Sequence, residues 1–206
     1  MLDLAGIRTN IYHMSNKSQD VVSGYLQQHM LIAMPAMSDP NFSRSVTLMC
    51  QHNEEGAIGI TINRLSGFTL GVIFRQLDIP CEHEEISSLP VLEGGPVSPD
   101  RGFVLHPPQE GFESSIRIND DIMVTTSRDI LAAIATGNGP QEFLVALGYA
   151  GWGNGQLEAE MRQNAWLSVP ADRAILFDSP LQSRWEKAVS KLGVDIDHLH
   201  WVGGHA

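Results

Sequence analysis

The sequence predicts an α+β fold in a single domain, with a mixed β-sheet flanked by helices. Strand and helix patterns alternate from Met30 onward, and pairs of apolar runs are separated by short turn sequences typical of hairpins. No charge run, internal repeat or Ser/Pro-rich linker marks a domain boundary in the 206 residues. We therefore divide the chain into an N-terminal extension, residues 1–24, and one globular domain, residues 25–206.

The first elements are a buried strand and a hairpin. Met30 to Met34 is predicted as a strand that Pro35 ends, and the next two strands are Ser45 to His52 and Ala57 to Asn63. A three-residue loop, Glu54-Glu55-Gly56, would join these two strands. Pairing of Asn53 with Ala57 would then place Leu48 opposite Ile62 and Cys50 opposite Ile60, with Val46, Leu48 and Cys50 on the apolar face.

The remaining elements follow from apolar spacing and turn residues. Thr69 is predicted to cap a helix through Leu77, and Ser127 a helix to Gly137. A hairpin is expected around Asn119-Asp120-Asp121. The other predicted strands are short runs at Leu92 and Phe103 to Leu105, Phe143 to Tyr149, Trp166 to Val169 and Ala174 to Phe177, and the other helices are Gln156 to Asn164 and a last helix through Trp185 and Leu192.

The composition excludes several protein classes. With 43% hydrophobic and 18% charged residues the chain is not disordered over most of its length, and its apolar runs are shorter than the ~20 residues of a membrane helix. Asp3 precedes any basic residue and no continuous apolar stretch follows, so no secretory signal is predicted. We expect a cytoplasmic protein that does not bind membranes. Its two cysteines, Cys50 and Cys81, should be thiols there.

The charge opposes nucleic-acid binding. The formal net charge is −11, and the only clustered cations are Arg184, Lys187 and Lys191 on one stripe of a predicted helix. We interpret that stripe as a solvated face whose cations complement the helix C-terminal dipole. Direct binding to nucleic acid is therefore not expected.

No common catalytic or metal motif occurs. The sequence lacks G-x-S-x-G, a P-loop, C-x-x-C and H-E-x-x-H, and no cofactor or metal site is predicted. Cys81-Glu82-His83-Glu84-Glu85 is interpreted as a solvated acidic loop, and His198, His200 and His205 lack visible support for a metal. The segment Gly151 to Gly155 opens a helix and is either a tight turn or an anion-binding loop.

Two groups of residues are candidates for chemistry. Cys50 could be a nucleophile with His52 as its base, but apolar neighbours should raise the pKa of the thiol and favour a structural role. The hairpin would bring Arg44, Asn63 and Arg64 together near Asp39. Two guanidiniums near one carboxylate could bind an anionic ligand or form an internal ion-pair network.

Seven ordered blocks of sequence resemble the AlgH/YqgE family over about Tyr25 to Ala206. The blocks are Leu31-Ile32-Ala33-Met34-Pro35; Asp39 to Val46; Glu54 to Ala57 with Gly59, Asn63 and Arg64; Gly94-Gly95-Pro96-Val97; Arg101 to His106; Gly148 to Trp152 with Gly155 to Glu158; and Gly204-His205-Ala206. The resemblance implies a bifurcated, partly barrel-like sheet and a label of transcriptional regulator. It supplies no catalytic residues.

These observations predict a non-enzymatic regulatory or binding module for a small anionic ligand or a protein partner. The candidate ligand-binding residues, expected to converge on one concave pocket, are Asp39, Arg44, Asn63, Arg64, Arg101, His106, Trp152 and Gln156. Two alternatives stay open. One is a DNA-binding transcriptional regulator, and the other is an enzyme that uses Cys50 or a cleft formed by Asp39, Arg44, His106 and Glu158.

Overall fold

The computed structural model describes residues 25–193, and their fold is the predicted α+β class in one domain. The strands are β1 His29–Ala33, β2 Val46–Asn53, β3 Gly56–Thr61, β4 Leu65–Thr69, β5 Pro90–Glu93, β6 Val97–His106, β7 Ser115–Arg117, β8 Met123–Thr125, β9 Leu144–Gly153 and β10 Trp166–Pro170. The helices are α1 Leu70–Gln76, α2 Glu84–Ser87, α3 Arg128–Ala135, α4 Gln156–Arg162, α5 Arg173–Leu176 and α6 Arg184–Ser190.

The sheet divides into two branches at β9 and curls into a half-barrel. The first half of β9 pairs in parallel with β5, which continues to β4. Its second half pairs antiparallel with β3, which continues to β2, β1 and β10. On its other side β9 pairs with β6, followed by β8 and β7. The mixed, bifurcated sheet is therefore confirmed.

Glycine allows the backbones to meet at the branch point. Gly94 donates its N–H to the Leu147 carbonyl at 2.7 Å, and its own carbonyl accepts from the Thr61 N–H at 2.8 Å. A Cβ on Gly148, whose φ is +72°, would lie 2.3 Å from the Gly95 carbonyl oxygen. A side chain at Gly94 or Gly148 would therefore separate the strands.

Alternate residues of the strands face different cores. On β1, Met30 and Ile32 face a core shared with α5 and α6, whereas Leu31 and Ala33 face a core shared with α4. A further core packs α1 and α3 against the β5–β9 half of the sheet. Helices thus cover both faces of the sheet, and no described helix is long and apolar enough to span a bilayer.

The register predicted for the β2–β3 hairpin is wrong, although its apolar face is right. Asn53 pairs with Gly56 across a two-residue turn, and a bulge at Cys50 places Leu48 opposite Ile60. The bulge adds one residue to β2, which sequence alternation cannot reveal. Val46, Leu48 and Cys50 still face one core, as predicted.

One predicted strand is a helix. Residues Ala174 to Phe177 fall mostly within α5, because the Asp172 carboxylate accepts hydrogen bonds from the Ala174 and Ile175 N–H groups at 2.7 and 3.2 Å. Strand β4 and helix α2 were not predicted. The sequence does place Thr69 and Ser127 at helix N-caps, but neither side chain caps its helix there.

Candidate functional site

The predicted anion site at Arg44 and Arg64 is divided between two ion pairs. Arg44 lies over the Trp185 ring, with its Cζ 4.3 Å from the centroid, and its Nη2 is 3.3 Å from Glu186 Oε1. Arg64 Nε is 3.4 Å from Glu93 Oε2. The two guanidiniums therefore do not share a carboxylate, and each is already partnered by an acid.

The side chains of Asn63 and Asp39 form hydrogen bonds with backbone groups. Asn63 Oδ1 accepts from the Val46 N–H and its Nδ2 donates to the Arg44 carbonyl, both at 2.8 Å. The amide thus continues the β2–β3 ladder around Arg44, whose φ is +51°. Asp39 Oδ1 accepts from the Asn41 N–H at 2.9 Å, which is an Asx turn.

His106 lies in a buried hydrogen-bond chain. Its Nδ1–H donates to the Pro107 carbonyl at 2.7 Å, so Nε2 accepts from the Thr125 hydroxyl at 2.8 Å. Ser115 Oγ lies 2.6 Å from Thr125 Oγ1 and extends the chain. Burial lowers the pKa of His106, and the imidazole is neutral in this arrangement.

Trp152 and Gln156 belong to a cluster centred on Glu160. The indole N–H groups of Trp152 and Trp166 both donate to Glu160 Oε2, at 2.9 and 2.8 Å, and Gln156 Nε2 donates to Oε1 at 2.9 Å. Gln156 also accepts from the Gly153 N–H at 3.0 Å. The glycine-rich turn is therefore an exposed turn between β9 and α4 that the Gln156 side chain bonds to the backbone of Gly153.

Glu158 pairs with His52. Glu158 Oε1 lies 2.9 Å from His52 Nε2, while His52 Nδ1 accepts from the Leu26 N–H at 2.9 Å. The carboxyl pKa is lowered, chiefly by a hydrogen bond from its own backbone N–H and also by His52. Glu158, His106, Arg44 and Asp39 each contact a different partner, so these contacts give no support to the predicted cleft.

Cys50 and His52 do not form a catalytic pair. The bulge turns Cys50 toward the core shared with α5 and α6, whereas His52 reaches Glu158 on α4. Although alternation along β2 would direct residues 50 and 52 to the same face, the bulge directs these two side chains to different sides of the sheet. Cys50 is 7% exposed, and burial raises the pKa of its thiol to about 12.

The cationic stripe on α6 is solvated only in part, because Arg184 is buried whereas Lys187 and Lys191 are exposed. Arg184 is 4% exposed and donates to the Ile62 and Ser179 carbonyls, and burial lowers its pKa to about 10. Lys187 Nζ is 3.0 Å from Ser179 Oγ, and Lys191 pairs with Asp172. Internal acceptors thus engage all three cations.

Arg101 packs over two aromatic rings. Its Cζ lies 5.4 Å from the Phe103 centroid and 5.7 Å from the Tyr149 centroid. Its buried Nε has no hydrogen-bond partner within the described residues. Between residues 25 and 193, no three His, Cys, Asp or Glu side chains gather as metal ligands would. His198, His200 and His205 lie outside the described residues, as do the extension 1–24 and the final Gly-His-Ala block.

Sequence patterns missed an exposed apolar surface on the β4–β5 ribbon. We call Leu65 and Phe68 of β4, together with Leu89 directly before β5, the ribbon surface; they are 54%, 49% and 38% exposed. Within the described residues β4 pairs only with β5, so its other edge is free. Ser66 Oγ donates to the Val91 carbonyl at 2.8 Å and accepts from the Phe68 N–H at 3.2 Å, which holds the bulge that presents Phe68. Because β4 was not predicted from the sequence, this surface was not predicted either.

A family model described as AlgH-like matches residues 30–197. The chain belongs to the AlgH-like family. A UPF0301 protein of Xanthomonas campestris pv. campestris is 50% identical over 181 residues, which cover 88% of this chain and 96% of that protein. A UPF0301 protein of Azoarcus sp. is 50% identical over 187 residues, covering 91% and 100%.

Solved structures share the AlgH-like fold. The solution structure of the AlgH protein from Pseudomonas aeruginosa aligns with a TM-score of 0.74 at 46% identity, covering 91% of this chain and 100% of that one. A crystal structure of a Corynebacterium diphtheriae protein aligns with a TM-score of 0.65 at 18% identity, covering 92% and 95%. This second likeness shows the fold alone.

Several blocks that carry the AlgH-like resemblance have structural roles in this chain. Gly94, Gly95 and Gly148 allow the backbones to cross at the branch point, and Asn63 completes the hairpin ladder. Trp152 is held by Glu160. These contacts explain the residue types without a ligand, and they leave the exposed surfaces as the places where function is to be sought.

Proposed function

We propose that this AlgH-like chain is a non-enzymatic interaction module that binds a protein partner through the ribbon surface. The carrying observation is that, of the four exposed large hydrophobic side chains in the described part, two lie on β4 and a third, Leu89, directly precedes β5. Clustered exposed apolar side chains mark interaction sites in soluble proteins, because leaving them in water is unfavourable.

The free edge of β4 favours an extended partner segment. An unpaired edge presents N–H and C=O groups to which another strand can add. Leu65 and Phe68 would supply apolar contacts to alternate side chains of that strand. Buried aromatic anchors such as Phe68 carry much of the binding energy of interfaces.

The charge near the ribbon favours a basic partner. Glu82, Glu84 and Glu85 are exposed at the start of α2, which leads directly into Leu89 and β5. The whole chain carries −11. Cations flanking the partner's apolar strand would therefore be attracted, and opposite charge speeds association.

A small anionic ligand finds less support. Arg44 and Arg64 are paired with acids, and Arg184 is buried against carbonyl groups. An anion would have to displace Glu186 or Glu93 to reach a guanidinium. The protein-partner half of the expected function is therefore the one that the geometry favours.

Photocrosslinking in cells tests this proposal. The photoreactive residue p-benzoylphenylalanine replaces Phe68 in one strain and exposed Gln141 in a control strain, and mass spectrometry identifies the crosslinked segment. We expect a discrete adduct at position 68, on a segment of alternating apolar residues with Lys or Arg at its flanks. Position 141 should give no such adduct.

A second substitution tests whether the adduct at position 68 depends on binding to the ribbon surface. Leu65→Asp should reduce the adduct at position 68 by at least about tenfold, since an interface anchor contributes more than ~1.4 kcal/mol. Val97→Asp, at the exposed apolar residue outside the ribbon, is the matched control and should leave it unchanged. Equal adducts at 68 and 141, an acidic crosslinked segment, or no effect of Leu65→Asp would each refute the proposal.

A further inference from the structure

A groove separate from the ribbon lies between the β2–β3 hairpin and β9. Its volume is about 380 Å³, within the range of small-molecule sites. The register row formed by Gln51, Ile58 and Gly151 crosses its floor, and Val97 and Tyr149 also line it. Of the residues predicted to bind a ligand, only Trp152 is among its lining residues.

Gly151 keeps the floor of the groove open. A Cβ at this position would lie 3.4 Å from Tyr149 Cε2 and 3.8 Å from Val97 Cγ2, which are ordinary contact distances. The Tyr149 ring and Val97 therefore flank the space above the glycine. Arg101 packs against Tyr149, and its contact with the ring helps to hold the ring in place.

The polar groups of the groove are uncharged or acidic. Asn53 Oδ1 accepts from the Glu55 N–H at 2.9 Å, which leaves the Asn53 NH₂ group available. Within residues 25–193 the Gln51 amide and the Glu55 carboxylate have no side-chain partner. The lining thus offers amide donors, amide and carboxylate acceptors and an aromatic ring, but no cation.

These donors and acceptors favour a neutral ligand over a charged one. An anion would meet the Glu55 carboxylate and a chain of net charge −11, while Arg101, which packs against the Tyr149 ring, is not among the lining residues that could bind it. A ligand cation seeking the Tyr149 ring would meet the Arg101 guanidinium already beside it. A neutral ring that bears hydroxyl groups satisfies both the amides and the carboxylate, and its apolar face can pack on Tyr149.

We propose that this groove binds a neutral polyhydroxylated ring, such as a sugar or cyclitol. The hydroxyl groups donate to Glu55 and to the Gln51 carbonyl oxygen and accept from the Gln51 and Asn53 amide N–H groups. The proposal is independent of the ribbon surface, which lies on β4 and β5 and shares no residue with the groove.

Backbone-amide NMR titration of the full chain tests the proposal. The probes are D-glucose, D-ribose and myo-inositol, with glucose 6-phosphate as the charged counterpart of glucose. At least one neutral probe should cause saturable shifts at Gln51, Ile58 and Gly151. Glucose 6-phosphate should bind at least about tenfold more weakly than glucose. The proposal fails if no neutral probe shifts these amides, or if the phosphate ester binds as well as glucose.

Two valine substitutions on β9 form a matched pair. Gly151→Val fills the groove and should abolish the shifts. Gly153→Val lies two residues along the same strand, where a Cβ would be 3.9 Å from Gln156 Oε1, and should preserve them. If Gly151→Val does not fold, Gln51→Ala replaces it and should weaken binding at least about tenfold. Unchanged binding in the folded groove variant would overturn the proposal.

Discussion

Alkylation of the buried thiol tests the face assigned to β2. Burial raises the pKa of Cys50 from 9.0 to about 12, a change of three units. Because the thiolate is the reacting species and its population falls on the order of 1,000-fold, partly offset by its higher nucleophilicity, the native thiol should be alkylated more than about tenfold more slowly than an ordinary exposed thiol. Its 7% exposure slows the reaction further by limiting access to Sγ.

The assay follows iodoacetamide labelling at about pH 7.4 by intact mass. Cys81→Ala protein reports Cys50 alone, and Cys50→Ala protein reports the partly exposed Cys81 as the matched comparison. Labelling in guanidinium should make the two thiols react at similar rates, because unfolding removes the burial. This control shows that Cys50 is chemically intact.

Fast labelling of native Cys50 would refute the reasoning. A rate within about tenfold of an exposed thiol would mean that the pKa is not raised by burial, and that Cys50 does not face the core with Leu48. The hypothesis of a nucleophilic Cys50 would then regain support. A rate that rises only with the unfolded fraction would instead agree with burial.

Three further predictions concern stability and binding. Asn63→Ala should lower the free energy of unfolding by about 1–3 kcal/mol, because it leaves the buried Val46 N–H unpaired, and Asn63→Asp should cost less in urea melts since it keeps that acceptor. The lowered pKa of His106 means that the unfolded chain binds its proton first as pH falls below 6.5. The free energy of unfolding should therefore decline below that pH. The decline should be smaller in the His106→Gln variant, and the same as in the unchanged protein when the exposed His83 is replaced by Gln. Fluorescence anisotropy with promoter DNA at physiological salt should show affinity no tighter than about 10⁻⁴–10⁻⁶ M, and nanomolar binding weakened by Lys187→Ala would contradict this.

Apolar patterns predicted most of the elements because each element buries at least one face. The helix after Thr69 shows a spacing that only one core-facing orientation satisfies, whereas the strand at Met30 is a continuous apolar run because both of its faces are buried. The bulge at Cys50 leaves no such trace, because Cys50 fits the apolar face with or without an extra residue. The face of β2 was therefore predictable, whereas its register was not.

The candidate site was less predictable because the ion-pair partners of a side chain depend on the tertiary structure. Sequence places Arg44 and Arg64 near Asp39, but the acids that pair with the arginines are Glu186 and Glu93. Local proximity along the chain gives no information about α6 or β5. The ribbon surface was missed for a related reason, since an isolated Leu or Phe becomes informative only when an edge strand exposes it.

The contacts of the cationic stripe on α6 could not be predicted from the sequence either. These contacts affect which charge the proposed protein partner should carry. Helical spacing shows that Arg184, Lys187 and Lys191 share a face, but it cannot show that acceptors of Ser179 and Asp172 lie within reach of that face. Arg184 is buried against carbonyl groups, Lys191 is paired with Asp172 and Lys187 contacts the Ser179 hydroxyl, whereas Glu82, Glu84 and Glu85 are exposed on the segment that leads into the ribbon. The resulting field repels a polyanion and attracts a basic segment. Added salt should therefore weaken the proposed ribbon contact mainly by slowing association, which is the expected behaviour when opposite charges steer a partner toward an apolar anchor.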